Sequence, residues 1–297
     1  MNIRIIGAPM DLGADRRGVD FGASAIRYAG LSDQLRRLGH NVRDVGNIVV
    51  PQPESQPIGN PRLKYLDSIV QVAEDLAQTV TEALKTDEFP LILGGDHSIA
   101  LGSISGVANV YRHVGVIWVD AHADFNVEET TPSGNIHGMI LAALAGLGDG
   151  RLTHIGGWAP KLDASNIVII GARDLDVGEQ ALLRAHHVHV FTMSDIDQRG
   201  ISDILEQAIA IAGRQDHAIH LSLDMDSLDP REAPGVGTPV RGGLSYREAH
   251  LAMEMIADSR RLVSMDVVEV NSILDRENAT ARLAVELILS ALGKKIL

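Results

Sequence analysis

Three short stretches of the chain carry side chains whose types and spacing suit metal chemistry: Gly94-Gly95-Asp96-His97-Ser98, Asp120-Ala121-His122-Ala123-Asp124, and Ser222-Leu223-Asp224-Met225-Asp226-Ser227-Leu228-Asp229-Pro230. Each follows an apolar run of strand length. In an extended chain side chains alternate, so Asp120, His122 and Asp124 are expected on one face, and Asp224 and Asp226 repeat the pattern. Carboxylates crowded at a buried strand end repel and lose hydration unless a cation neutralises them. Singly, each stretch has a plainer explanation: a structural hydrogen bond for His97, an acidic solvated loop for 120–124, and turn chemistry before Pro230. Jointly, His97, Asp120, His122, Asp124, Asp224 and Asp226 offer two imidazoles and four carboxylates, enough to hold two metal ions. The chain has no cysteine, so thiolate ligation, thiolate catalysis and disulfides are excluded. Oxygen-rich ligation with some imidazole suits Mn²⁺, with Fe²⁺, Co²⁺ and Zn²⁺ as competitors. Two such ions ~3.5–4 Å apart share a water, lower its pKa and present it as hydroxide, so hydrolysis is the reaction expected.

Positioning these groups requires buried strands. Short apolar runs at 3–7, 91–94, 115–119, 166–171, 187–191, 218–223 and 262–268 alternate with helical periodicity, clearest at 23–38, 63–85, 245–257 and 279–292. That alternation predicts an α/β fold with a mainly parallel sheet covered by helices. Such sheets bind ligands beyond the carboxyl ends of their strands, where all three stretches fall. No linker, repeat or low-complexity tract interrupts the 297 residues, so a single domain over 1–297 is expected; the Pro-rich stretch 51–61 reads as a surface loop.

The same stretches, GGDHS, DAHAD and SLDMDSLDP, resemble the three signatures of the ureohydrolase family in order and spacing. The similarity runs from Gly7-Ala8-Pro9-Met10-Asp11 and Arg16-Arg17-Gly18-Val19 to Glu269-Val270-Asn271. It implies a three-layer α/β/α domain, two Mn²⁺ ions per subunit, and metal ligands at His97, Asp120, His122, Asp124, Asp224 and Asp226. It also implies a homo-oligomer, trimer or hexamer. Asn126 and the loop Thr131-Pro132-Ser133-Gly134-Asn135-Ile136-His137-Gly138 resemble the arginases of that family rather than its agmatinases. Asn126, Thr131 and Ser133 are thereby implied to bind an α-carboxylate through neutral donors, without a lysine. Asp176, with Glu179 nearby, matches the residue facing the α-ammonium; helix capping by both is compatible with that role. His137 matches a proton-shuttling histidine, Glu269 the carboxylate that pairs with a guanidinium, and Thr238 a further residue near that group. The implied activity is hydrolysis of the guanidinium of L-arginine to L-ornithine and urea by a metal-bridging hydroxide, with Asp124, His137 and Glu269 catalytic. Alternatives are a hydrolase of another guanidino compound, agmatine or guanidinobutyrate, and a non-catalytic arginine- or metal-binding scaffold. Two positions depart from the family pattern: Ser272, where a proline is usual after Glu269-Val270-Asn271, and Ala23 after Gly22. Ser272 raises the question of whether Glu269 keeps its place.

Composition is that of a globular protein, 45% hydrophobic and 22% charged. The formal net charge of −13 argues against nucleic acid or an anionic membrane as partner and mildly favours a cationic ligand. No apolar run approaches the ~20 residues of a membrane helix. Residues 1–8 lead directly into a strand with no secretory pattern, so a soluble, cytoplasmic protein is expected.

Overall fold

A computed structural model describes residues 1–295. Its centre is one sheet of eight strands: β1 (Asn2–Ala8), β2 (Asn41–Asn47), β3 (Phe89–Gly94), β4 (Val114–Val119), β5 (Ile167–Ala172), β6 (His189–Thr192), β7 (Ala218–Asp224) and β8 (Leu262–Val268). Their order is β2-β1-β3-β8-β7-β4-β5-β6, and every pairing is parallel. β3, β4, β5, β7 and β8 are buried on both faces almost throughout, which is why they read as unbroken apolar runs.

Helices cover both faces, and alternate strand residues feed the two cores. On β4, Val114, Val116 and Trp118 pack with helices Leu66–Lys85 and Ala100–Ala108, while Ile117 and Val119 face the opposite side. That second layer contains helices Gly22–Tyr28, Leu31–Arg37, Ile201–Ala212, Tyr246–Ser259 and Ala279–Ala291. The three-layer α/β/α architecture follows. Each fully buried Ile or Leu contributes ~1.5–3 kcal/mol, so the two cores hold the sheet as a rigid platform.

Strand order places the carboxyl ends where chemistry is possible. β7 and β8 lie between β3 and β4, so the chain segments leaving these four central strands converge on one end of the sheet. Gly95 lets the segment after β3 close against that after β1: its N–H donates to Ala8 O, and Asp96 N–H donates to Met10 O, both at 2.9 Å. A Cβ at Gly95 would lie 1.8 Å from Met10 O, so no other residue fits.

Two local expectations are corrected. The helix read at 23–38 breaks at Gly30 (φ 86°) into Gly22–Tyr28 and Leu31–Arg37, because Gly30 adopts the left-handed conformation that begins a new helix. β2 gave no periodic signal: only Val42 of Asn41–Asn47 is buried, and the strand exists through its pairing with β1 at the sheet edge.

Candidate metal centre and substrate pocket

β3, β4 and β7 deliver the charged cluster. His97 begins the turn after β3, with Asp96 accepting from Ser98 N–H at 3.0 Å to shape it. Its Nδ1 lies 3.1 Å from Asp120 Oδ2, 3.3 Å from Asp124 Oδ2 and 3.2 Å from Asp224 Oδ2. His122 Nδ1 lies 3.3 Å from Asp120 Oδ1 and 3.2 Å from Asp226 Oδ2. Two groups, His97–Asp120–Asp224 and Asp120–His122–Asp226, each hold candidate ligand atoms within 4.8 Å of one another. Asp120 belongs to both. All six side chains read from sequence are therefore brought together.

Convergence arises differently from the simple alternation expected. The chain is no longer extended after Val119, and Asp124 sits in the left-handed region at φ 50°. Asp224 ends β7 and its Oδ1 accepts from Asp226 N–H at 2.7 Å, so a tight turn carries Asp226 to the second group. Left-handed backbone at a non-glycine residue is strained, and Glu269 after β8 shares it (φ 63°). Glu269 is held there by its N–H donating to Gly95 O at 2.8 Å and its Oε1 accepting from His97 N–H at 2.9 Å. Neither contact involves Ser272.

The electrostatics call for a cation. Burial, aided by Asp226 and Asp120, pushes the Asp224 carboxyl well up, and burial with the Asp120 charge raises Asp124. Burial opposes charge on His97 and His122, yet facing carboxylates overcome it and raise both imidazoles. The buried Nδ1 of His97 makes no hydrogen bond although oxygens of three carboxylates lie 3.1, 3.3 and 3.2 Å from it. Its other nitrogen, Nε2, lies 2.8 Å from Ser222 Oγ; a proton held there would orient Nδ1 toward a metal that displaced the Nδ1 proton. Trp118 stacks on the His97 ring at 3.8 Å and donates from Nε1 to Asp120 Oδ2 at 2.9 Å. A buried imidazole nitrogen without a hydrogen-bond partner among crowded carboxylates, without thiols, fits two divalent cations.

Beside this cluster lies a cavity of about 150 Å³ lined by His122, Asp124, Asn126, Thr131, Ser133, Asn135, His137, Asp174, Asp176, Glu179 and Thr238. The residues expected around a ligand line it, and Glu269 lies just beyond, with Oε1 3.4 Å from His137 Nδ1. Burial disfavours charge on His137, but the Glu269 carboxylate outweighs it and pushes the imidazole up to about 9. Asn126 Nδ2 donates to Asp176 Oδ2 at 3.0 Å, and Thr238 Oγ1 donates to Asp226 Oδ2 at 2.7 Å. Glu179 accepts from Phe125 N–H at 2.8 Å and from Asp176 N–H at 3.3 Å, the latter inside a capping box that starts helix Val177–Ala185. Burial is the main cause raising its carboxyl to about 7. Thr131 Oγ1 and Ser133 Oγ accept from Gly134 and Asn135 N–H, at 3.0 and 3.2 Å, so both also shape the loop. A larger groove of about 710 Å³ beside β5 and β6 holds none of the six clustered side chains.

Sequence reasoning passed over Asn135, Asp174, Trp118 and Ser222. Asn135 lay within the polar loop already singled out. Trp118 and Ser222 sit inside strand patterns that read as core, and no local signal marks them.

Fold and site together define a hydrolase-type binuclear metal centre on a parallel three-layer sheet. Residues 1–293 match the Arginase family model, and the chain belongs to the arginase family. The arginase of Brevibacillus brevis is 54% identical over 296 residues, covering 100% of this chain and 99% of that protein. The native structure of Bacillus caldovelox arginase at pH 5.6 superposes with a TM-score of 0.97 at 49% identity, covering 100% of this chain and 99% of the other. A structure described as a hypothetical agmatinase from Burkholderia thailandensis is more distant: TM-score 0.76, 25% identity, with coverage of 98% and 85%.

Proposed function

We propose that this chain is a manganese-dependent hydrolase, acting as one catalytic domain, that converts L-arginine and water to L-ornithine and urea. One observation carries the reading: His122 and Asp124 of the charged cluster line a cavity together with Asp176, Glu179, Asn126, Thr131, Ser133 and Asn135. A cationic guanidinium at one end and an amino acid's ammonium and carboxylate at the other match that distribution. His97, Asp120, His122, Asp124, Asp224 and Asp226 would hold two Mn²⁺ ions, which when bound neutralise the carboxylates and acidify water near neutral pH.

The chain's own residues supply the rest. Asp176 and Glu179 accept from the α-ammonium, while Asn126, Asn135, Thr131 and Ser133 donate to the α-carboxylate. Glu269, fixed by Gly95 and His97, pairs with the guanidinium and sets its plane. Water adds to the guanidinium carbon, the bond to the side-chain nitrogen breaks, and that nitrogen leaves as the ornithine amine. Asp124 accepts the proton of the attacking water. The departing amine gains its proton through Asp124 or His137, and the charge His137 carries near neutral pH beside Glu269 supports the latter. Solubility in the cytoplasm and assembly as a trimer or hexamer belong to the same proposal; no helix among the described residues is long and apolar enough to cross a membrane. Light scattering tests the assembly.

The decisive assay is urea release from L-arginine and from agmatine, with Mn²⁺-loaded and chelator-stripped protein in parallel. Arginine-selective, Mn²⁺-dependent urea supports the proposal. Release from agmatine alone moves the substrate, and metal binding without turnover of either removes the catalytic reading.

A further inference from the structure

The loop that carries Asn126, Thr131, Ser133 and Asn135 does not stand alone. Residues 60–64, at the end of the Pro-rich stretch, run along it and grip it. Arg62 donates from Nε to Glu128 O at 2.7 Å and from Nη2 to Glu129 O at 3.0 Å; Asn60 donates to Glu128 Oε1 at 2.8 Å. Lys64 N–H donates to Gly134 O at 3.1 Å, and a Cβ at Gly134 (φ 75°) would meet Pro61 O at 1.9 Å. Backbone therefore lies directly on backbone. Leu63, 1% exposed, anchors the brace in the core.

At the head of this brace the half-buried Lys64 ammonium donates to Asn135 Oδ1 at 2.9 Å and to Asp15 Oδ1 at 2.8 Å. Asp15 is largely exposed, on the loop that follows β1. A side-chain amide has one oxygen and one nitrogen, so a cation on its oxygen leaves only the donor end for a ligand. Lys64 thereby makes Asn135 a pure donor and polarises its N–H groups, while adding positive charge behind a wall that otherwise offers neutral donors. Asp15 sits against the same cation and opposes that charge. Its own carboxyl is lowered by Lys64, Asn135 and the His137 charge, which outweigh the effect of burial.

We propose that Lys64 is a positioning residue for recognition of the substrate's carboxylate, acting through Asn135, and that Asp15 attenuates it. This rests on the arginine reading above. It predicts that affinity for carboxylate-bearing ligands depends on Lys64, whereas affinity for decarboxylated analogues does not.

The test uses calorimetric binding of L-ornithine and putrescine to the Mn²⁺-loaded protein, which needs no turnover, alongside kinetics with L-arginine. Lys64→Met is expected to weaken ornithine and raise the KM for arginine about tenfold, the scale of one charge-assisted contact, with kcat and putrescine binding unchanged. Lys64→Arg retains the cation and is expected to stay within about threefold of wild type, guarding against simple loss of folding. Asp15→Asn is expected to act in the opposite direction and tighten ornithine. Equal weakening of ornithine and putrescine by Lys64→Met, or no change in either, overturns the proposal. So does an Asp15→Asn variant that weakens ornithine, because a merely structural pair predicts loss from either side. If wild-type protein binds ornithine but releases no urea from arginine, the catalytic reading fails while these binding comparisons still decide the role of Lys64.

Discussion

Removing the Ser222 hydroxyl tests how the protein presents His97 to metal. In the wild type Ser222 Oγ lies 2.8 Å from His97 Nε2, and both residues are essentially inaccessible to solvent. Ser222→Ala leaves a buried N–H without a partner, which costs ~1–3 kcal/mol. The ring has an escape: the facing carboxylates favour a charged ring, which can release its Nε2 proton and keep the one on Nδ1, where oxygens of Asp120, Asp224 and Asp124 lie at 3.1, 3.2 and 3.3 Å. That escape satisfies the metal-free protein but consumes the lone pair a metal needs. Metal-free stability should therefore change little, while Mn²⁺ affinity falls by ~10–100-fold, the usual effect of losing a ligand's orienting partner. Calorimetric Mn²⁺ titration and thermal melts of chelator-treated protein give the two numbers. Unchanged Mn²⁺ affinity in a folded variant would refute the reasoning, as would a large stability loss without any loss of affinity.

Chelation of the Mn²⁺-loaded protein should lower its melting temperature: metal at 1,000 times its Kd stabilises by ~4 kcal/mol, or roughly 6–7 °C for a chain of this size. A melt insensitive to chelator contradicts the metal assignment. The His137–Glu269 pair should leave a pH signature. His137 is raised from 6.5 to about 9 in the fold, so its stabilisation is complete below 6.5 and disappears as pH rises through about 9. The melting-temperature gap between metal-free wild type and Glu269→Gln should accordingly narrow across that window, and a constant gap counts against the pairing. With metal restored, Glu269→Gln should also reduce kcat/KM for arginine by about 100-fold or more, since it removes the carboxylate proposed to pair with the guanidinium. Wild-type kinetics in that variant would eliminate Glu269 from the site. Finally, Gly95→Ala places a Cβ 1.8 Å from Met10 O, which must displace backbone at the junction of β1 and β3. A loss of about 3 kcal/mol in denaturant melts is expected, and a neutral result would show that the junction yields more easily than its packing implies.

The alternation of apolar runs with helical periodicity sufficed for the α/β class, because central parallel strands are buried on both faces and must be apolar throughout. The candidate metal ligands that the fold gathers were legible for a related reason. Polar side chains directly after such runs are conspicuous, and six hard or borderline donors with no sulfur narrow the chemistry. Edge strand β2 was not legible, since one buried valine carries no pattern and its existence depends on hydrogen bonds to β1. Nor was the break at Gly30 in an otherwise continuous periodic stretch. Tertiary structure alone decided which residues support the site from afar. Trp118 and Ser222 look like ordinary strand residues until strand order brings β3, β4 and β7 to one end of the sheet and sets both against His97. Lys64 reaches Asn135 across 71 positions of sequence, a contact set by the packing of two loops. Periodicity encodes which face of an element is buried; partners brought together by crossing chains leave no periodic trace.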